Sequence, residues 1–388
     1  MQTLSLASYL ALKEIWRNRG RFLLVSLVIA LITLLVLFIA ALGEGLGNGN
    51  REYLSRLDGE LIVYQAKSDF LIQASRLRIE RVDEVRAVEG VADAGMIGTS
   101  RATLILDGDV EPLNVALLGV EPGHVGEPAV LEGRQFAENA ADQVIIDRNT
   151  ALRTRLGVGD TLTLQATQGT EDAFFPLEII GVAGGQQYGL QPSVFAPFTT
   201  WDRIRPQSEA ELNFASPTPN IIAVKLENPA DVEVMRQRIN EVVENVETAT
   251  IKEAIQALPG YSAQQSTLNT QGGFTLFIGI LVIGGFFQIQ ILQKVAQIGV
   301  LKAIGTSNAI VAAASVLQIL FITIIGVAIG ALMAFLFSLF FPPTVPIVFN
   351  GTTTAIAVVA LLLIGPIGGM VSIRYAVRIE PLKALGLS

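Results

Sequence analysis

Apolar residues gather into four long runs, 22–42, 274–292, 310–341 and 354–372. From 303 to 373 there is no Asp, Glu, Lys or Arg. A helix rises 1.5 Å per residue, so crossing a hydrocarbon core of about 30 Å takes roughly 20 apolar residues. Each run is therefore predicted to be a membrane-spanning helix. The third is long enough to tilt or to extend past the membrane face. Phe341-Pro342-Pro343-Thr344-Val345-Pro346 ends it, because proline cannot donate to the helix ladder and clashes with the preceding turn. The chain then divides into a leader (1–21), a first span (22–46), a polar domain (47–270), a second span (271–296), a link (297–309), a third span (310–341), an outer loop (342–353), a fourth span (354–373) and a tail (374–388).

Inside the polar domain the period changes. Leu61-Ile62-Val63-Tyr64 and Ala102-Thr103-Leu104-Ile105-Leu106 read as strands. Between them Ile79, Val82, Val85 and Val88 form the stripe of a short helix. The order returns near the end of the domain. Ile221-Ile222-Ala223-Val224 is a strand, and Pro229-Ala230-Asp231 opens a helix through about Asn245. Val232, Met235, Ile239, Val242 and Val246 are placed on one face of it, and residues 246–251 return as a strand. Between these two strand–helix–strand units, about 115–217 reads as an inserted β-rich lobe. Its strands are Gln143-Val144-Ile145-Ile146, Thr161-Leu162-Thr163-Leu164 and Leu177-Glu178-Ile179-Ile180-Gly181-Val182. Gly157-Val158-Gly159-Asp160 marks a turn between helix and strand. The fold class is a multi-pass α-helical membrane protein, four spans in a 1+3 arrangement, with a large extracytoplasmic α+β domain of two lobes.

Charge sets the expected orientation. Leader, tail and the stretch between the second and third apolar runs together carry nine Lys or Arg (Lys13, Arg17, Arg19, Arg21, Lys294, Lys302, Arg374, Arg378, Lys383) against Glu14 and Glu380. Residues 47–270 carry 18 basic and 32 acidic residues. Lys and Arg collect on the cytoplasmic side. Both termini and the link are therefore expected in the cytoplasm of a bacterial plasma (inner) membrane, with the polar domain outside. The apolar core of the first run exceeds the 7–15 residues of a signal-peptide h-region, so a retained anchor is expected. The chain's net charge of −8 comes from the outer domain, whose acidic excess speaks against nucleic-acid binding.

Candidate chemistry is sparse. There is no cysteine, hence no disulfide or thiol metal site. The single histidine, His124, sits in Gly123-His124-Val125-Gly126 and is expected on a surface loop. No nucleophile–base set and no paired carboxylates rise above chance, so no catalytic residue and no metal site is assigned. Gly43-Glu44-Gly45-Leu46-Gly47-Asn48-Gly49 follows a membrane helix rather than a strand. It is expected to be a flexible exit from the first span, not a phosphate loop. No Walker A sequence occurs, so no nucleotide is expected to bind this chain directly. No charged residue lies within the apolar runs 22–42, 274–292, 310–341 and 354–372, which argues against ion coupling.

Two features remain. Small residues at Gly326 and Gly330, and at Gly365 and Gly369, have the spacing that lets helices approach closely. That contact can lie within the chain or between two copies. The link itself, Gln297-Ile298-Gly299-Val300-Leu301-Lys302-Ala303-Ile304-Gly305, follows the second span without a proline. The helix is expected to continue into it, with Gly305 ending a turn. Such a segment can dock in a partner's groove, with Leu301 as apolar anchor and Lys302 at the rim.

The link resembles that of the MacB/FtsX-type ABC transporter permeases, approximately E-I-G-x-L/R-K-A-I/L-G-A, with Gln297 in place of the usual Glu. The leader Ala11-Leu12-Lys13-Glu14-Ile15-Trp16-Arg17-Asn18 is similar to the family's start. Leu118-Gly119-Val120, Leu131-Glu132-Gly133-Arg134 and Leu156-Gly157-Val158-Gly159-Asp160-Thr161-Leu162 resemble its outer domain. Arg378-Ile379-Glu380-Pro381-Leu382-Lys383-Ala384-Leu385 resembles its terminal helix. The leader and Leu61-Ile62-Val63-Tyr64 look most like the haem-exporter and DevC-like branches.

The resemblance implies a permease homodimer with two copies of a separate ABC ATPase, which would hold ATP and Mg and contact Gln297 to Gly305. Nucleotide-driven motion would pass to the outer domain to export an amphipathic or lipid-like substrate. Membrane lipids are expected partners, and an extracytoplasmic adaptor or substrate-delivery protein is a further one. A signal transmitter acting on a cell-wall hydrolase or sensor is the alternative, and a binding scaffold without energy coupling a third.

Overall fold

The computed structural model describes residues 9, 13, 15–106, 111–137, 141–209, 211, 217–341 and 345–379. Parts of the sequence reading lie outside them: Ala11, Leu12 and Glu14 of the leader, Pro342, Pro343 and Thr344 of the loop, and Glu380 to Leu385 of the tail. The chain forms two compact units, 1–45 with 265–388 and 46–264.

Four helices are long and apolar enough to cross a membrane, and all or most of each lies in the first unit: α1 (Arg19–Ser55), α7 (Tyr261–Gln293), α9 (Asn308–Ser338) and α10 (Gly351–Arg378). A short helix, α8 (Val295–Ala303), lies between α7 and α9. Ser307 caps α9 by accepting from the Ile310 N–H, and Asn350 caps α10 by accepting from the Thr352 N–H. Val25, Ile29, Leu37, Ile283, Phe287, Ile319, Ile322, Leu361 and Ile364 make the bundle core.

The glycine run does not form a flexible exit, because α1 stays helical through it to Ser55. The glycines serve close packing instead. A Cβ on Gly43 would stand 3.1 Å from Leu268, and one on Gly45 would overlap the Pro346 carbonyl. Where a neighbouring backbone occupies the Cβ position, the helix cost of glycine, about 1 kcal/mol, is outweighed.

The second unit contains β1 (Leu61–Gln65), α2 (Glu80–Arg86), β2 (Val91–Ile105), β3 (Leu113–Val120), β4 (Val130–Gly133), β5 (Gln143–Asp147), α3 (Arg148–Thr154), β6 (Thr161–Gln168), β7 (Glu171–Ala183), β8 (Ser193–Pro197), α4 (Phe198–Ile204), β9 (Ile221–Leu226), α5 (Val232–Val242), β10 (Val246–Thr250) and α6 (Ile251–Ala257). The strands run β10-β1-β9-β2-β3-β8-β5-β7-β4, and β6 pairs with both β2 and β7. The path β2-β3-β8-β5-β7-β6 therefore closes on itself into a six-stranded ring. Leu104, Leu117, Ile146, Leu164, Ile179 and Val194 fill it.

β2 joins the two lobes. Residues 91–97 pair with β9, and 103–105 pair with β6. The ring thus takes in strand residues upstream of 115. In the other lobe β1 is apolar on both faces. Leu61 and Val63 pack with Val82, Val85, Ile222 and Ile239, while Ile62 and Tyr64 pack with Phe195 and Ala249. Asn228 caps the 3-10 turn Pro229–Asp231 that leads into α5. α5 ends at Val242, earlier than the periodicity predicts, and Val242 is 62% exposed rather than on the buried stripe.

Candidate functional site

The second membrane helix does not run unbroken into the link. Lys294 leaves helical geometry (φ −107°, ψ 5°) and α8 starts afresh at Val295. Neither proline nor glycine stands at the break, so packing decides it. The restart lays Val295 and Ile298 against Ile291, Val311, Ala376 and Ile379. Lys294 holds its Nζ 5.5 Å from the centre of the Phe22 ring, a cation–π distance.

α8 ends in a Schellman turn. Gly305 takes φ +97°, its N–H donates to the Lys302 carbonyl at 3.0 Å, and the Thr306 N–H donates to the Leu301 carbonyl at 3.1 Å. A side chain at 305 would be strained there, which gives the glycine of the link a backbone reason.

The two faces of α8 differ. Gly299 is buried, and Leu301 and Lys302 are partly covered. The Lys302 ammonium donates to the carbonyls of Val377 at 2.6 Å and Ile379 at 2.9 Å. It therefore caps the C-terminal end of α10, where carbonyls lack intrahelical donors and the helix dipole is negative. The outward face carries Gln297, Val300, Ala303 and Ile304; Val300 is 46% and Ile304 75% exposed. This reverses the expected roles. Lys302 is a tie within the bundle rather than a rim charge, and the outward apolar pair is Val300 and Ile304 rather than Leu301. The break at Lys294 sets the rotation of α8, and no periodicity in the sequence announces it.

The small residues lie at helix crossings of this one chain. A Cβ on Gly326 would come within 2.6 Å of Ile29 in α1, and Gly330 faces Ala30 and Thr33. Gly365 and Gly369 of α10 face Thr323 and Ile319 of α9. A Cβ on Gly284 of α7 would stand 2.7 Å from the Gly368 carbonyl, a contact that the sequence spacing did not single out. Beside it Ser372 donates to Gln288 Oε1 at 3.2 Å.

In the second unit His124 is half-buried and paired. Its Nδ1 lies 2.7 Å from Asp93 Oδ1, and its Nε2 lies 3.7 Å from Glu121 Oε1. Arg86 holds the same Glu121 and donates through Nε to the Ala94 carbonyl at 2.7 Å. Burial pushes the Asp93 carboxyl up. The hydrogen bonds from His124 and from the Val125 and Ala94 N–H groups outweigh that and leave it below its ordinary value. These bonds tie β2 to the loop after β3. Among the described residues no group of three or more His, Asp or Glu is arranged to hold a metal ion.

Comparison with known proteins bears on the whole chain. Residues 22–242 match the MacB-like periplasmic core domain family, and residues 270–381 match the FtsX-like permease C-terminal family. The chain is 25% identical over 378 residues to HrtB of Staphylococcus haemolyticus, a permease named for hemin transport, covering 97% of this chain and 99% of that protein. It is 23% identical over 388 residues to an ABC transporter permease of Mycobacterium tuberculosis, covering 97% and 99%. It is also 23% identical over 401 residues to the macrolide export ATP-binding/permease protein MacB of Escherichia coli, covering 97% of this chain and 60% of that protein. The extracellular domain of the transporter YknZ aligns with 49% of this chain and 100% of its own, at 17% identity and a TM-score of 0.36.

Proposed function

This chain belongs to the MacB/FtsX-type family of ABC transporter permeases, and from that premise we propose that it is the membrane subunit of an exporter driven by a separate ATPase. Two copies of the permease work with two copies of the ATPase, which bind ATP and Mg. The single observation that carries this reading is the outward pair Val300 and Ile304 on a short helix that ends in a fixed turn. Large apolar groups exposed at the end of a bundle, beyond its long apolar helices, favour a partner that covers them.

ATPase closure presses on α8. Lys302 passes the displacement to α10, and the turn at Gly305 passes it to α9. α1 has 37 residues and α7 has 33, so at about 1.5 Å per residue each is longer than a core of about 30 Å. Helices of that length suit transmission of motion to the domain of 46–264. The basic leader, link and tail support a cytoplasmic α8 and an outer sheet domain. Relatives named for hemin and macrolides favour a large, mostly apolar and amphipathic substrate.

The test is the pair Val300→Asp and Ile304→Asp. A carboxylate placed where an apolar side chain is buried in a partner forfeits about 1.5–3 kcal/mol of burial and adds a desolvation cost. We expect the ATPase to be lost on co-purification with the permease still folded and inserted. Full ATPase recovery and transport in both variants would remove α8 from the mechanism. Cysteines at Thr170 and Ser307, both exposed, should label from opposite sides of the membrane. Labelling from the same side would overturn the orientation.

A further inference from the structure

A cavity of about 300 Å³ lies at the link end of the bundle, between the leader, the end of α7, α8 and the start of α9. That volume is at the low end for ligand pockets, about 300–1,000 Å³. Lys13, Arg17 and Lys294 line it, and none of its described lining residues is an Asp or Glu. Two side chains deeper in the wall, Gln290 and Gln318, are 3% and 8% exposed. The Nε2 of each is buried without a hydrogen-bond partner among the described residues. Buried amides normally find partners, since an unmade hydrogen bond of this kind costs free energy. Here two orphaned donors line one cavity whose mouth is cationic and whose remaining wall, including Ile291 and Val311, is apolar.

Donors without acceptors, positive charge and apolar walls together describe a receptor for an anionic group on an apolar body. We propose that this cavity binds the phosphate headgroup of an anionic membrane phospholipid. The Gln290 and Gln318 amides turn to donate to its oxygens, and Arg17 supplies a two-pronged cationic contact of the kind that suits phosphate. The position favours a lipid over a soluble anion. The cavity sits where the apolar helices give way to the basic leader and link, the level at which headgroups meet protein. The inference needs only that the helices lie in a bilayer. It does not depend on which partner covers α8.

Delipidated full-length protein in neutral detergent is titrated with phosphatidylglycerol, with phosphatidylcholine or with inorganic phosphate. Bound lipid is counted by native mass spectrometry and the melting temperature is followed. We expect retention of phosphatidylglycerol with a rise in melting temperature that salt diminishes. Phosphatidylcholine and inorganic phosphate should give little of either. Arg17→Gln should weaken retention about tenfold and Arg17→Lys should keep part of it. Gln318→Leu removes an unpaired buried amide, so it should raise the lipid-free melting temperature while abolishing the lipid-dependent rise. Equal retention in Arg17→Gln, equal effects of phosphatidylcholine, or the same stabilisation by inorganic phosphate would each overturn the assignment. If Gln318→Leu does not fold, Arg17→Gln and Arg17→Lys decide the matter.

Discussion

The sheet domain hides most of its large side chains, and the helical bundle, outside its core, shows many of them. In the domain Ile62, Leu117, Ile145 and Phe195 are fully buried. In the bundle Leu332, Phe335, Ile356 and Val371 face outward, while Ala30, Thr33, Gly326 and Gly365 fill the helix crossings. Water drives the first arrangement, because each large apolar group gains by leaving it. Lipid removes that drive between helices, so close approach of small residues and a few polar ties hold the second. One chain therefore obeys two packing rules, and truncating a large apolar side chain should cost far more inside the sheet domain than on the outward face of the bundle.

Truncation in the core of the sheet domain gives the largest contrast. Phe195→Ala should cost about 3–5 kcal/mol, read as a lowered denaturation midpoint of the domain. Leu332→Ala, at a position 59% exposed on the bundle, should be nearly silent in a bilayer. Enlargement separates positions within the bundle. Gly326→Leu collides with Ile29, and overpacking of this kind costs about 1–3 kcal/mol or more. Gly285→Leu enters open space and should be tolerated. Equal melting temperatures for the two glycine variants in nanodiscs would rule out close helix approach at Gly326 as a source of bundle stability.

Polar ties come next. Lys302→Met loses both bonds to α10, and hydrogen bonds to charged groups contribute about 1.5–3 kcal/mol each at best. The effect should appear as faster hydrogen exchange at the end of α10 and as weakened coupling of ATP hydrolysis to transport. Lys302→Arg should restore part of it. The smallest effect is in the sheet domain. Asp93 has its folded value lowered, so its contribution is fully present above the ordinary carboxylate range of about 4. It fades as pH falls through the lowered value. Asp93→Asn should therefore cost under about 1 kcal/mol near neutrality, the group being part-exposed, and nothing at the acid end. A pH-independent difference between the two proteins would rule out the ionised carboxylate and its hydrogen bonds as its cause.

Much of this was legible from spacing. The four spans, β1, the buried Val82, Val85 and Val88, and the strands at 143, 161, 177 and 221 follow from apolar period alone, whereas Ile79, placed on the same stripe, precedes α2 and is 38% exposed. The first half of β2 does not, since Ala94-Gly95-Met96-Ile97-Gly98 has the composition of a loop and is held by ladders to β3 and β9. β8 is a strand ended by Pro197, placed beside β3 and β5 by contacts remote in sequence. The run from Gly43 to Gly49 misleads for a related reason. Glycine signals flexibility locally, whereas here Gly45 answers to the Pro346 backbone about 300 residues away. Closure of the ring and the rotation of α8 are tertiary facts. The family resemblance marks Gln297 to Gly305 as a site, and only packing tells which of its residues face outward.

That last distinction is open to direct measurement. A photo-crosslinking residue is placed in turn at Val300, Leu301 and Ile304 of the full-length permease, co-expressed with its ATPase. We expect crosslinks to the ATPase from Val300 and Ile304, and crosslinks only within the permease from Leu301. Crosslinks to the ATPase from Leu301 but from neither Val300 nor Ile304 would contradict the assignment of the outward face of α8 as the coupling surface.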